Sequence, residues 1–307
     1  MIVVVLLLLL PLIPLAVSAV VVWLIFTLLG TNRTEPLTPE AQRASRASAV
    51  ALGFAAVLAV IAAGSLIATD EYGRGIVLAG PVFLLVVQFG LAADTAIIST
   101  SVRTKGDVRV AGLSPRKVSD NMPRALAAAT LIVVIVALTF VAIASAVAST
   151  DDDSGKDIAF ASANEYGGVE TFSPFPGAFY SVPLAAVLVV SMIVGAGTLV
   201  GAGRWGALNQ PTMDLALRLG ISTRSVAASA MSAGLTLAIV GWMLFAAALQ
   251  VSGSPDDSTL WRFGTYAFPI AALVGIVVGM WAFLAFLFPM LGRKSANAPI
   301  RLQEVRP

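Results

Sequence analysis

The sequence predicts an all-α integral membrane protein of about seven transmembrane helices. It places the N-terminus outside and the C-terminus in the cytoplasm, and it carries a parallel internal repeat. Three observations lead there. The 307 residues are 58% hydrophobic and only 12% charged, where a soluble domain carries about 25%, and the mean hydropathy is +0.92. Seven apolar runs, near 3–29, 48–69, 77–100, 125–148, 181–203, 227–250 and 265–290, are each long enough to cross a hydrocarbon core of about 30 Å as a helix. The basic residues alternate between the segments that join these runs.

That alternation sets the expected orientation. The segments 30–47, 101–124 and 204–226 and the C-terminal tail hold sixteen of the nineteen Lys and Arg residues. The opposite side holds only Arg74, Lys156 and Arg262. Positive charge stays in the cytoplasm, so the first set is expected there, in a multi-pass protein of the cytoplasmic (plasma) membrane. The first run starts at Ile2 with no basic stretch before it, which favours a retained span over a cleaved signal peptide. The whole of 1–307 reads as a single transmembrane domain. The outer segment 149–180, rich in Gly and Pro, is too short for a separate domain. Its Phe172, Phe175, Phe179 and Tyr180 are expected at the outer membrane interface, with Trp205 and Trp261 as further interfacial anchors.

The chain has no Cys and no His. Disulfides, thiolate chemistry and zinc sites are excluded, along with the commonest general base. No tight carboxylate cluster lies within a span, so no metal site and no catalytic residue is expected, and the chain is not expected to be an enzyme. Asp94 is the one ionisable side chain placed inside a run. A buried carboxylate is costly and often functional, so Asp94 is either a transport site or a pairing residue that reaches Arg103 or water.

Two connectors resemble each other at an offset of 108 residues. Gly112 matches Gly220, Ser114 matches Ser222, Arg116 matches Arg224 and Val118 matches Val226. With the flanking spans, the repeat units are 79–148 and 187–251, and both connectors face the same side. In each, Gly112 or Gly220 permits a tight backbone conformation. Ser114 or Ser222 can then cap the next helix. Upstream, "TKGDVRV" and "PTMDLAL" can form short surface helices. The result is a basic elbow at 101–124 and again at 204–226, built on Arg109, Gly112, Ser114, Arg116 and Lys117, and on Arg218, Gly220, Ser222 and Arg224. A basic loop that only fixes topology is the plainer alternative.

Residues 103–138 and 215–244, with "AGLSPRKV" and "LGISTRSV" at the elbows, resemble the core of FtsX-like ABC-transporter permeases. The resemblance implies elbows docked on a separate cytoplasmic ABC-type ATPase, which would carry the ATP and magnesium. It also implies a second permease chain, as homodimer or heterodimer, and export of a hydrophobic drug, peptide or lipid. The sequence departs from the family in having only a short outer segment. It has no phosphate-binding loop of its own: "LGRKSA" (291–296) lacks the required glycines. The expected function is therefore a permease subunit without its own cofactor, and the alternative is a non-transporting scaffold or accessory subunit.

Two GxxxG pairs, Gly197 with Gly201 and Gly275 with Gly279, allow close helix approach. They serve packing within the chain or an interface between two chains. Trp242 and Trp281 lie mid-span and face other helices or lipid. The tail 291–307 is basic and suited to anionic membrane lipid. Nothing in it points to nucleic acid.

Overall fold

The computed structural model describes residues 39–101, 122–163, 166, 168–204, 211–251 and 259–289. Six helices among them are long and apolar enough to cross a membrane: α1 (Pro39–Ala68), α2 (Arg74–Ser101), α3 (Arg124–Val147), α4 (Ala178–Arg204), α5 (Pro211–Val251) and α6 (Thr259–Leu287). The expected first span at 3–29, most of the first connector with Arg109, Gly112, Ser114, Arg116 and Lys117, Trp205, and the tail lie outside the described residues. Five of the six spans fall close to the expected runs, and α5 begins sixteen residues before its run at 227–250; the runs become helices because lipid offers the backbone no hydrogen-bond partner. A long apolar stretch must therefore close its own bonds as a helix.

The fold is not all-α. Strands β1 (Phe160–Ala163) and β2 (Val169–Phe172) form an antiparallel hairpin, with Phe160 opposite Phe172 and Ala163 opposite Val169. A further bridge joins Ser149 to Ala159. The hairpin survives as a two-stranded ribbon because it is packed on the helices; alone it would be marginal. Phe160 stacks edge-on against Trp261 at 4.8 Å and lies 5.4 Å from Phe175. These rings sit in one cluster with Leu78, Val141, Leu184, Leu244 and Phe268. Three of the aromatics expected at the interface are turned into the bundle. Phe175 and Tyr180 are 1% exposed and Trp261 is 6% exposed, so they plug the end of the bundle.

The turn between α1 and α2 meets the same end. Tyr72 and Gly73 take positive φ, 53° and 82°, which reverses the chain in five residues. Asp70 then accepts hydrogen bonds from the backbone N–H groups of Gly73, Gly75 and Ile76 at 3.0, 2.6 and 3.2 Å, satisfying donors that the first turn of α2 leaves open. Asp70→Ala is expected to lower stability by about 1 kcal/mol, measured as thermal unfolding in detergent. The Tyr180 hydroxyl donates to the Tyr72 carbonyl, and Lys156 pairs with Glu71. Lys156 also lies 4.5 Å from the Tyr72 ring, and Arg74 lies 4.7 Å from that of Phe179. The turn between α1 and α2 and the segment before α4 are thus tied to each other on this side.

Helix α5 is the hub. It packs against α2, α3, α4 and α6, while α1 packs chiefly on α2. The reason lies in its side chains: Ala227, Ala228, Ala230, Ala233 and Gly234 follow one another closely, and small residues let neighbouring backbones approach. The outer faces remain apolar. Phe54, Ile132, Ile193, Ile270 and Val277 are each more than 60% exposed, as lipid-facing residues are. Trp242 and Trp281 join that surface at 41% and 44%.

The elbow expected at 204–226 is not formed as such. α5 is continuous from Pro211 to Val251, 41 residues or about 61 Å at 1.5 Å per residue. Gly220 has an ordinary helical φ and is buried, and Ser222 sits about three turns inside the helix, so it caps nothing. "PTMDLAL" is simply the first two turns of α5. The stretch contains no Pro after Pro211 to interrupt it, and a single Gly does not stop a helix that is packed on several sides.

Candidate functional site

Three helices meet along a buried polar seam. α5 contributes Ser222, Ser225, Ser229, Ser232 and Thr236, all 5% exposed or less. Their spacing of three and four residues puts them on one helix face. α4 answers with Ser181, Ser191, Gly195, Thr198 and Ala202, which are likewise buried and share one face. α2 supplies Gln88, Asp94 and Thr95, exposed by 0, 0 and 4%.

At mid-depth the three helices are joined through Gln88. The amide orientation that satisfies both ends has its nitrogen donating to the Ser191 carbonyl at 2.8 Å and its oxygen accepting from Ser229 Oγ at 2.8 Å. Beside it, Ser225 Oγ donates to the Gly195 carbonyl at 3.1 Å. Gly195 has to be small: a Cβ there would lie 2.5 Å from Ser229 Oγ. Thr95, Thr198 and Thr236 return their hydroxyls to carbonyls four residues back on their own helices.

Charge enters towards the other end. Asp94 is wholly buried, and its Oδ2 accepts from Ser48 Oγ on α1 at 2.9 Å. Among the described residues its Oδ1 has no hydrogen-bond partner, nor have the hydroxyls of Thr223 and Ser232. Arg224 is the cation whose field acts on Asp94. Its Nε is 3.4 Å from the Phe286 carbonyl in the last turn of α6. One turn and a half earlier, Arg218 holds Asp214 through two bonds, 2.9 and 3.1 Å, and donates a third of 2.6 Å to the Ala202 carbonyl near the end of α4. Two arginines of the second connector therefore grip the carbonyl ends of neighbouring helices, where a cation is favoured by the unsatisfied C=O groups and the helix dipole. They are turned into the chain: Arg218 is 3% exposed.

The glycine pairs behave differently from one another. Gly275 and Gly279 lie against Gly234 of α5, within the chain. Gly201 faces Thr95 of α2, where a Cβ would come within 2.9 Å, whereas Gly197 has nothing within 4 Å.

Asp94 thus lies within the electrostatic reach of Arg224, and Ser222 lies on the seam; Gly220, although buried, makes no close approach to a neighbouring helix. Gln88, Ser48 and the hydroxyl rows went unnoticed in the sequence. Their signal was the run "STRSVAASAMSAGLT", in which hydroxyls recur every three or four residues. No group of His, Cys, Asp or Glu among the described residues is arranged to hold a metal ion. Comparison with protein-family models, curated proteins and solved structures finds no match.

Proposed function

We propose that this chain is the membrane-spanning permease subunit of a transporter, with its working seam where α2, α4 and α5 meet. The observation that supports this is the row of buried hydroxyls on α5, one of which, Ser229, meets Gln88, with the buried Asp94 further along α2. Polar and ionisable groups within a span are costly and mark pathways for substrate or ions. A bundle held by packing alone has no need of a carboxylate with one oxygen unsatisfied.

The energy source follows from the resemblance of the two connectors: a separate cytoplasmic ABC-type ATPase with ATP and magnesium, and a second permease chain beside this one. That part of the proposal does not use Arg218 or Arg224 as gripping residues, because both are engaged inside the chain. Among the described residues, the exposed side of the first turns of α5, where Leu215 is 51% exposed, is open to such a partner. An ATPase that co-purifies in mild detergent supports it, and a chain that purifies alone from its native membrane opposes it.

The second reading is a non-transporting scaffold. The closed state of the seam favours it, since Gln88 is satisfied on both sides. The chain contains no cysteine, so single substitutions separate the two without background. Ser225→Cys, Ser229→Cys and Ser232→Cys are expected to react with a membrane-impermeant thiol reagent in native membranes, while the lipid-facing Ile132→Cys does not. If all four are equally inert, the seam never admits water and the scaffold reading stands.

A further inference from the structure

α2 and α4 leave a groove between them beside the seam, with Thr95 and Thr198 common to both. Its volume is about 440 Å³ and it is open along one side. Gln88 meets Gly195 and Thr95 meets Gly201, so the two helices run in the same direction here. One end of the groove is Phe89 with Val194, and the other is Ser99 with Arg204. Ten residues of helix separate the ends, about 15 Å at 1.5 Å per residue.

A single hydrocarbon chain fits a groove of that length and volume. The walls are apolar at the Phe89 end and gain Ser99 and Arg204 at the other. Arg204 is in the last turn of α4, at the limit of the apolar span, the depth at which phospholipid phosphates lie. Among the described residues it forms no ion pair. Basic pockets between transmembrane helices bind anionic head groups.

We infer that this groove is a binding site for an anionic phospholipid, with one acyl chain lying between α2 and α4 against Gly197 and the phosphate on Arg204. The site stands whether or not the seam opens, so its failure and that of the permease proposal are distinguishable.

Gly197 gives the test. A Cβ there meets nothing within 4 Å, so Gly197→Leu fills the groove without pressing on the fold, and the unfolding temperature is expected to be unchanged. The full chain in mild detergent is titrated with phosphatidylglycerol or phosphatidylcholine of identical chains, and bound lipid is counted by native mass spectrometry. The unaltered protein is expected to retain one phosphatidylglycerol in preference to phosphatidylcholine. Gly197→Leu loses that lipid, and Arg204→Gln retains the two lipids equally. Ala96→Leu, from the opposite wall, repeats the block should Gly197→Leu fold poorly. No preference in the unaltered protein, or undiminished retention in both blocked variants, overturns the assignment. So does a blocked variant that splits a dimer while its lipid count stays the same.

Discussion

Arg218→Ala is expected to destabilise the chain by about 3–5 kcal/mol, the cost of leaving one member of a buried ion pair without its partner. The magnitude follows from what the side chain holds. Arg218 makes three bonds of 2.6 to 3.1 Å, two to Asp214 and one to the Ala202 carbonyl. Asp214 and Arg218 are only 7% and 3% exposed, so water does not replace what is lost. Asp214→Ala/Arg218→Ala removes both charges and is expected to recover most of the loss, leaving the cost of the orphaned Ala202 carbonyl, about 1–3 kcal/mol. Thermal unfolding of the four proteins of this cycle, in one detergent, measures the coupling directly. The same experiment bears on the ATPase. Were Arg218 a grip for a soluble motor, Arg218→Ala would melt like the unaltered protein and change only its partner's ATP turnover. A drop in unfolding temperature that the double variant reverses assigns Arg218 to the crossing of α4 and α5 instead.

How far this was legible in the sequence depends on which force decides each feature. The spans were legible because burial in lipid acts on every residue of a run. The expected 125–148 and 181–203 differ from α3 and α4 by at most three residues at either end. The hairpin was not. "FASA" and "VETF" are four residues each, too short for alternation to stand out. What fixes them is contact between Phe160 and Trp261, a hundred residues apart in the chain. The break expected near Gly220 failed for a related reason. Local propensity favours a turn at Gly followed by Ser, but packing of α5 on four other helices outweighs the roughly 1 kcal/mol that one glycine costs a helix.

The site was half legible. Asp94 stood out as a lone charge in an apolar run, and Arg224 as half of a repeated motif, yet nothing in their spacing linked them. That link is tertiary: it needs α2 and α5 side by side, and Ser48 brought in from α1. The hydroxyls do not stand out in the sequence because Ser and Thr are nearly neutral in hydropathy. Their periodicity, not their polarity, is what marks the seam. The two connectors, alike in sequence, raised the expectation of levers for a partner. In the second connector the arginines have another use: they reach the carbonyl ends of α4 and α6.

Gly234→Leu is expected to destabilise the chain by about 3 kcal/mol, at the upper end of what overpacking costs, and to do so where Gly197→Leu does not. In lipid, helices gain little from hiding apolar surface from water, so close packing supplies much of their attraction. α5 and α6 make their closest approach through glycine. A Cβ on Gly234 would stand 2.5 Å from the Gly275 carbonyl oxygen and 3.1 Å from the Gly279 nitrogen, and a Cβ on Gly275 would stand 2.5 Å from the Gly234 carbonyl. These are backbone atoms, and no rotamer change moves them aside. The helices must separate along their length, which also loosens Gly241 against Ala272 one contact further on. Gly234→Ala is expected to show the same effect in reduced form, since even one methyl group meets the opposing backbone. Unfolding temperature and oligomeric state, measured together, decide the matter. If Gly234→Leu melts like the unaltered protein but splits a dimer, then Gly275 and Gly279 join two chains and not two helices of one.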